Sequence, residues 1–290
     1  MPFKTIAVLG LGAMGLRLAQ NILNAGYSLV VYNRTADKAK FLIEQGARSV
    51  ATPKEAAAQA DIVISMVTDD AASQALWMEP ETGAIAGLKP GVVAVESSTL
   101  TVDWVTALSA AVTAQSAAFL DAPVVGSRPQ AEAGKLMYLI GGEKSPLAQI
   151  YEVIADNGST YNVGGVGQGM AMKLAVNALF GIQVAAVAEL LGLLNQAGLD
   201  PSAALSCLSD LPVTSPAAKG AAHLMVNQNH APLFPLTLAE KDLGYALTAA
   251  NRLGADLPTT TAVRDRFREA IAQGYGAENL TAIAKCYLKG

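Results

Sequence analysis

One lysine stands in an otherwise apolar segment that the sequence predicts to be helical. Lys173 is followed four residues later by Asn177, and residues four apart share one face of a helix. An ammonium on a buried face is costly unless it has a partner or a chemical task, and partial burial suits a lysine to proton transfer near neutral pH. The same spacing also fits a lysine at a helix end whose ammonium reaches solvent, so spacing alone leaves both interpretations open.

A glycine-rich turn near the start of the chain has the spacing of a phosphate-binding loop. It follows a predicted strand over residues 5–9 and opens a predicted helix over residues 16–25. The first glycine permits the tight turn, the second lets a pyrophosphate approach the backbone, and the third allows close packing of helix on strand. The phosphates then meet a helix N-terminus, where free N–H groups and the helix dipole favour anions. The residues predicted to bind a dinucleotide in this way are Gly10, Leu11, Gly12, Ala13, Met14 and Gly15.

The end of the second predicted strand indicates which dinucleotide is bound. NAD-preferring sites usually place an acidic residue there to bind the ribose hydroxyls. This chain has Asn33, Arg34 and Thr35 instead, so no carboxylate repels a 2′-phosphate and a guanidinium is available to bind one. Asn33 and Thr35 could equally cap the helix that follows. The pattern predicts NADP(H) as the cofactor.

The elements that must position these residues differ between the two halves of the chain. In the first half, β-rich runs alternate with helical stretches, which is typical of a parallel sheet covered by helices on both faces. From residue 164 onward the periodicity is helical throughout. The sequence predicts an α/β Rossmann-like dinucleotide-binding domain over residues 1–163, followed by an all-α substrate and dimerisation domain over residues 164–290. Strands are predicted at residues 5–9, 28–32, 62–66, 92–95, 118–120, 137–140 and 159–162, and the later helices at 167–197, 201–208, 216–225, 236–253, 259–273 and 279–288.

Three later motifs, taken with the glycine-rich turn, resemble a known enzyme family. They are Asp121-Ala122-Pro123-Val124-Val125-Gly126-Ser127, then Gly167-Gln168-Gly169 with Lys173 and Asn177, and then Lys241-Asp242-Leu243. In this order and spacing they resemble the β-hydroxyacid dehydrogenases, a family that includes 3-hydroxyisobutyrate dehydrogenases, tartronate semialdehyde reductases and glyoxylate/succinic semialdehyde reductases. The resemblance covers essentially the whole chain and implies the same order of domains.

The resemblance implies a catalytic and a substrate-binding segment. Lys173 would be the general acid/base, and Asn177 would position the substrate. Val125, Gly126 and Ser127 would bind a substrate carboxylate, with Val125 and Gly126 offering backbone N–H groups. The family usually has a serine where this chain has Val125, so the backbone donor is kept and a hydroxyl is lost.

The resemblance also implies further cofactor contacts. Thr99, directly after Ser98, would flank the nicotinamide, and Lys241 would close over the cofactor. A proline that usually follows the Ser-Thr pair is replaced by Val102. A second predicted strand ends at the same edge of the sheet, where ligands of parallel sheets bind. The residues there that are predicted to line the nicotinamide–ribose region are Met66, Val67 and Thr68.

Arg128 follows Ser127 in a pattern closer to the semialdehyde reductases than to the hydroxyisobutyrate dehydrogenases. It could pair with a substrate carboxylate, or it could be a solvated loop residue, and the sequence does not separate these alternatives.

Composition excludes several classes of function. The chain has 290 residues, 52% of them hydrophobic and 15% charged, which is the balance of a folded protein and not of a disordered one. Its net charge is −4 and it has no run of Lys or Arg, so a nucleic-acid partner is not expected. The most apolar stretch, residues 174–188, is shorter than the roughly 20 residues of a membrane-spanning helix. The start of the chain has no signal-peptide pattern, so a cytoplasmic protein is expected. The very apolar second domain suggests buried faces shared between subunits, so a homodimer or homotetramer is expected.

The two cysteines, Cys207 and Cys286, lie in predicted helices. A disulfide between them stays open, but buried free thiols in a reducing compartment are predicted. No cluster of residues has metal-ligand spacing, and no metal is expected.

These features predict an NADP(H)-dependent oxidoreductase. Hydride would pass between the nicotinamide and a small β-hydroxyacid or its semialdehyde, with Lys173 moving the proton. One alternative is an imine reductase, a related fold whose members commonly lack the catalytic lysine. Another is a catalytically inactive NADP-binding scaffold. The presence of Lys173 and Asn177 argues against both, and the sequence does not identify the substrate.

Overall fold

The computed structural model describes residues 4–288, and the chain divides into two compact units between Lys173 and Leu174. The predicted boundary, between residues 163 and 164, lies earlier. The difference arises because the first turn of the long helix that follows is hydrogen-bonded to Asp121 of the first unit.

The first unit is built on one mixed sheet. Its strands are β1 (Thr5–Leu9), β2 (Ser28–Tyr32), β3 (Arg48–Ser49), β4 (Ile62–Ser65), β5 (Val93–Glu96), β6 (Ala118–Asp121), β7 (Val124–Val125), β8 (Leu136–Gly142) and β9 (Gly158–Gly164). Within residues 4–288 the order is β3-β2-β1-β4-β5-β6-β8-β7, with β9 paired to β8. Neighbours from β3 to β6 are parallel, and β8 runs antiparallel to β6 and β7. The order reverses between β1 and β4, and a crevice for a ligand forms at such a point, outside the carboxyl ends of the strands.

Strand β1 shows why the sheet is buried on both faces. Its residues Ile6, Ala7, Val8 and Leu9 are all fully buried, and successive side chains of a strand point to opposite faces. Ile6 and Val8 belong to one hydrophobic cluster, whereas Ala7 and Leu9 belong to another. Because both faces of β1 are buried, its sequence must be continuously apolar, and residues 6–9 are all apolar.

Helices cover the two faces of this sheet. They are α1 (Gly15–Asn24), α2 (Lys40–Ile43), α3 (Pro53–Ala57), α4 (Asp70–Met78), α5 (Val102–Thr113), α6 (Arg128–Glu132) and α7 (Lys144–Ala155). Thr52, Asp69 and Thr101 cap α3, α4 and α5 through side-chain oxygens that accept bonds from backbone N–H groups of the first turn. α1 has no side-chain cap and no acidic residue in its first turn.

The longest described helix, α8 (Gln168–Gln196), begins in the first unit and continues into the second. The rest of the second unit is helical, and its α-helices are α9 (Pro201–Asp210), α10 (Pro216–Val226), α11 (Leu236–Leu253) and α12 (Pro258–Ala270). Helix α8 packs on α11 and α12 at Gly181, where a Cβ would be in ordinary van der Waals contact, 3.5 Å from Leu243 of α11 and 3.6 Å from Phe267 of α12.

Among residues 4–288, α8 is also the one helix that is long and apolar enough to cross a membrane, judged by length and composition alone. A helix in the core of a folded domain passes the same test. This helix has 29 residues, whereas the apolar run noted in the sequence covers only residues 174–188. The helix is longer because further apolar residues lie on both sides of that run.

Several local features differ from the predictions. Residues 279–288 were predicted to be helical, and Leu280–Cys286 does form a helix, but of the 3-10 type, and α12 passes into a π-helical turn, Ile271–Tyr275. Cys207 is exposed and Cys286 is half-buried, both as free thiols, although both were predicted to be buried. The helices α4 and α7 were not predicted either. The strands β3 and β7 were missed because two residues are too few to show an alternating pattern.

Candidate active site

The glycines of the first turn have distinct structural tasks. Gly10 follows β1 with φ +100°, and a Cβ there would overlap the carbonyl oxygen of Met66. A Cβ at Gly15 would overlap the carbonyl oxygen of Gly10. Gly12, in contrast, is exposed and has no heavy atom within 4 Å of the place a Cβ would occupy. Gly10 and Gly15 are therefore required by packing, whereas Gly12 leaves open space above the backbone.

The N-terminus of α1 fits an anion. Leu11 is buried and anchors the turn, and Ala13 and Met14 lead into the helix at Gly15. Because no side chain caps this end and no carboxylate lies in its first turn, its N–H groups and dipole are not neutralised by the chain itself. The residues present therefore fit the pyrophosphate of a dinucleotide. Among residues 4–288 no group of three or more His, Cys, Asp or Glu side chains could hold a metal ion.

The end of β2 supports this turn. The side-chain oxygen of Asn33 accepts a bond of 2.8 Å from the N–H of Leu11, and its amide nitrogen donates to the carbonyl of Thr35 at 2.9 Å. Asn33 therefore holds the turn in place. Arg34 and Thr35 are exposed, Thr35 forms no side-chain cap, and Arg34 has no ion pair within the described residues.

The predicted cofactor residues of β4 and β5 meet at one edge of the sheet. Met66, Val67 and Thr68 follow β4, and Thr99 follows its parallel neighbour β5. The two segments are joined directly, because the N–H of Val67 donates to the hydroxyl of Ser98 at 2.8 Å. Met66 is buried, Val67 and Thr99 are half-buried and Thr68 is exposed.

A fully buried carboxyl lies beneath this edge, and the sequence analysis missed it. Glu96, the last residue of β5, accepts bonds from the Ser73 hydroxyl at 2.8 Å, the Trp77 indole at 3.0 Å and the backbone N–H of Ser98 at 3.0 Å. Burial raises the pKa of Glu96, whereas hydrogen bonds from Ser98, Ser65 and Ser73 lower it. The signal in the sequence was an acidic residue that ends an apolar strand, which is unusual unless the carboxyl has internal partners.

The segment predicted to bind a substrate carboxylate follows β6. Val125 of β7 pairs with Met137 of antiparallel β8. The N–H of Leu139 donates to the carbonyl of Pro123 at 3.0 Å, and this bond fixes which pairs of the ladder are hydrogen-bonded, since such pairs alternate. That alternation directs the N–H of Val125 at the Met137 carbonyl and not outward. The exposed backbone is that of Gly126, whose φ is +124°.

The backbone of Ser127 is also engaged, since its N–H donates to the side-chain oxygen of Gln130 at 3.0 Å. Arg128 begins α6 and is half-buried, and its Nε lacks a hydrogen-bond partner among the described residues. The picture of a fully solvated loop arginine is therefore wrong for Arg128.

Lys173 lies in the second turn of α8 and is only 8% exposed, so most of this residue is removed from solvent. The first turn of the helix is anchored by Asp121, whose carboxylate oxygens accept bonds from the N–H of Gly167 at 2.8 Å and of Met170 at 2.7 Å. Burial raises the pKa of Asp121, and the backbone bonds from Gly167 and Met170 lower it. Asp121 was singled out by its motif, but no role was predicted for it.

In the second unit, Asn177 and Lys241 are joined by Asp242. The amide nitrogen of Asn177 donates to one oxygen of Asp242 at 2.6 Å, and the ammonium of Lys241 lies 2.9 Å from the other. That ammonium also lies 4.6 Å from the centre of the Tyr245 ring. Asn177 and Asp242 are buried and Lys241 is half-buried, so Lys241 is not a solvated surface charge. The sequence analysis gave roles to Lys241 and Asn177 but named Asp242 only as part of a motif.

Two family models cover the chain. The model described as the NAD binding domain of 6-phosphogluconate dehydrogenase matches residues 5–168. The model described as NAD-binding of NADP-dependent 3-hydroxyisobutyrate dehydrogenase matches residues 167–287.

Individual relatives are similar over nearly the whole chain. The uncharacterized oxidoreductase YfjR of Bacillus subtilis is 34% identical, over 97% of this chain and 99% of its own length. Glyoxylate/succinic semialdehyde reductase 2 of Arabidopsis thaliana, a chloroplastic protein, is 32% identical over 96% of this chain and 78% of its own length. The structure of 3-hydroxyisobutyrate dehydrogenase from Mycobacterium tuberculosis with L-serine has a TM-score of 0.90 at 25% identity, and covers 98% of this chain and 99% of that one. This chain therefore belongs to the β-hydroxyacid dehydrogenase family and is an oxidoreductase that uses a nicotinamide dinucleotide.

Proposed function

We propose that the protein interconverts a small β-hydroxyacid and its semialdehyde with NADP(H), and that Lys173 is the general acid/base. The observation that carries this proposal is the position of Lys173, which is 8% exposed on a helix whose first turn is anchored to the end of β6. A buried ammonium is costly to maintain, and proton transfer at the reacting oxygen is a task that justifies it.

Lys173 acts on the oxygen that changes between hydroxyl and carbonyl. When bound, the dinucleotide supplies hydride transfer at the neighbouring carbon. In the reductive direction the Lys173 ammonium donates a proton to the carbonyl oxygen, and in the oxidative direction the neutral amine removes the hydroxyl proton. Asn177 lies one turn later on α8, and its amide is held in a single orientation by Asp242, which suits it to position a substrate group.

A substrate carboxylate is held by the segment that follows β6. Gly126 contributes its exposed backbone, and Ser127 and Arg128 lie directly after it. Val125 contributes its side chain and not its N–H, since the ladder with β8 directs that N–H at Met137. The preference for NADP(H) rests on the exposed Arg34 and on the absence of a carboxylate at Asn33-Arg34-Thr35.

The protein is also proposed to be a cytoplasmic homodimer or homotetramer without nucleic-acid or membrane partners. Three leucines of α8 in the second unit, Leu179, Leu190 and Leu193, are 59%, 48% and 61% exposed, and a second copy of the chain is the proposed cover. Two free cysteines fit a reducing compartment. Light scattering of the purified protein and fractionation of the source cells test these two statements, and a monomer or a membrane-bound protein would contradict them.

The catalytic proposal is tested by turnover on a panel of small semialdehydes, with NADPH and NADH compared, for the wild-type protein and Lys173→Ala. Loss of general acid/base help should lower kcat by roughly 10²–10⁴-fold, and the pH profile of kcat/KM should lose the limb that reports this group. Dinucleotide affinity should change little, because the glycine-rich turn is intact.

Met172→Ala is the matched control, since it shortens the neighbouring exposed side chain of the same helix without removing an ammonium. If Lys173→Ala keeps a near-normal kcat with the same pH limbs, Lys173 is not the acid/base. Turnover of imines in preference to semialdehydes would favour an imine reductase, and dinucleotide binding without any turnover would favour an inactive scaffold.

A further inference from the structure

The last residue of β6, Asp121, joins two segments of the first unit. It is fully buried, and its two carboxylate oxygens are used separately, one by the N–H of Gly167 at 2.8 Å and the other by the N–H of Met170 at 2.7 Å. These N–H groups lie at the start of α8, where a helix has N–H groups without partners of its own. The carboxylate therefore binds the end of a strand to the first turn of a helix.

Two glycines make room for this carboxylate. A Cβ at Gly141 would overlap one oxygen of Asp121, and a Cβ at Gly169 would lie 2.8 Å from the other. Any residue larger than glycine at either of these positions would therefore collide with the Asp121 carboxylate. Backbone N–H groups can only donate, and the positive end of the helix dipole favours an anion, so the site matches the ionised form of the aspartate.

The position of Asp121 in the chain connects the two proposed functional segments. Lys173 comes three residues after Met170, which is less than one helical turn of about 3.6 residues. A shift or rotation of the first turn of α8 therefore moves Lys173 directly. On its other side, Asp121 leads through Ala122 and Pro123 into the segment that carries Gly126.

We propose that Asp121 is a positioning residue that fixes Lys173 relative to the segment containing Gly126. The proposal rests on the proposed function, because Asp121 acts through Lys173. It assigns to this carboxylate a part in the reaction and not only in the stability of α8. Displacement of a catalytic group by about 1 Å can cost about 10²-fold in rate, so loss of this clamp should be visible in kcat.

The test is Asp121→Asn, which keeps the shape of the side chain but turns one acceptor into a donor that faces an N–H group. We expect kcat to fall by about 10²-fold while the dissociation constant for NADPH stays within about twofold of wild type. Without substrate, acylation of Lys173 by an amine-reactive reagent, followed by peptide mass spectrometry, should become severalfold faster because the first turn is loosened.

Asp200→Asn is the matched control. Asp200 also caps a helix, α9, but with one oxygen, which accepts bonds from the N–H of Ser202 at 2.9 Å and of Ala203 at 3.1 Å. It lies in the second unit, outside the segments that carry Lys173 and Gly126. Asp200→Asn therefore removes the same negative charge from a helix N-terminus but keeps the oxygen that caps α9, so kcat and the labelling of Lys173 should stay at wild-type values.

A purely structural role predicts a different result. If Asp121→Asn lowers the melting temperature but leaves kcat and the labelling rate of Lys173 within twofold of wild type, the proposal is overturned. If the Asn variant does not fold, Asp121→Ser takes its place, because serine can cap one N–H group but cannot span both. Parallel assays of Lys173→Ala separate the two hypotheses, since an active Lys173→Ala protein overturns the proposed function and an inactive one with an active Asp121 variant overturns only this inference.

Discussion

Helices α1 and α8 both follow glycine-rich turns, but only at α8 do the free N–H groups of the N-terminus find an acceptor in a side chain of the chain itself. At α1 no side chain caps the helix and no carboxylate lies in the first turn. At α8 the buried carboxylate of Asp121 accepts bonds from two backbone N–H groups. Both ends attract negative charge for the same physical reason, which is the combination of unpaired donors and the helix dipole.

The difference separates a ligand site from a structural anchor. Where the chain supplies its own anion, as at α8, the helix is fixed and can hold Lys173 in place. Where it supplies none, as at α1, the exposed and uncrowded Gly12 leaves the terminus open to an anion from solution. Of these two glycine-rich turns, only the one before α1 leaves a helix end that fits a phosphate, because no internal carboxylate occupies that end.

Placing a carboxylate at the open N-terminus of α1 should abolish this difference. Of the substitutions proposed, it should have the largest effect on NADPH affinity. Gly12 is not in the left-handed region and has open space for a side chain, so Gly12→Asp should fold. Two like charges about 5 Å apart repel by about 3 kcal/mol at an effective dielectric constant of about 20, so NADPH affinity should fall by on the order of 10²-fold. Isothermal titration calorimetry measures the loss directly.

Gly12→Asn controls for the added volume, because asparagine has the same shape without the charge. It should weaken NADPH binding much less than aspartate does. Equal losses for the two variants would mean that steric exclusion, and not the unneutralised helix terminus, decides binding at α1.

The charge next to the open terminus gives the second prediction. Arg34→Ala should weaken NADPH selectively, by about 1.5–3 kcal/mol if a charge-assisted hydrogen bond to the 2′-phosphate is lost. NADH binding should stay nearly unchanged. Arg48→Ala, which removes an exposed arginine from β3, should leave both affinities unaltered. Tight NADH binding by the wild-type protein, or equal losses for both cofactors in Arg34→Ala, would contradict NADP preference.

The smallest expected effect concerns the segment that Asp121 leads into. Val125→Ser should leave folding intact and shift substrate preference toward small β-hydroxyacids, because it restores a hydroxyl near the proposed carboxylate position. A gain of about 0.5–1.5 kcal/mol corresponds to roughly two- to tenfold in relative kcat/KM. Val125→Ala removes the methyl groups without adding a hydroxyl and should not change the ranking. A ranking unchanged by serine would remove Val125 from the specificity argument.

The pattern of apolar residues predicted the architecture well, because burial of a strand or helix face requires such a pattern within that element itself. Residues 5–9 and 28–32 were predicted as strands and form β1 and β2, and residues 236–253 form α11 as predicted. Strands buried on both faces must be continuously apolar, and long helices must keep one apolar stripe. The Rossmann-like domain followed by a helical domain is confirmed, as is the family.

The sequence singled out the residues that are proposed to carry chemistry, because the glycine-rich turn, Lys173 with Asn177, and Lys241 stand in the order and spacing of the family's motifs. It did not determine their partners, because a hydrogen bond between residues far apart in the chain leaves no periodic signal. The folded chain decided that Glu96 collects bonds from Ser73 and Trp77, and that Asp242 joins Asn177 to Lys241. It also decided that Asp121 caps the N-terminus of α8, although Asp121 lies 46 residues before Gly167 in the chain. Such contacts form only when the folded chain brings distant segments together, since a buried carboxyl must then find donors wherever the fold places them.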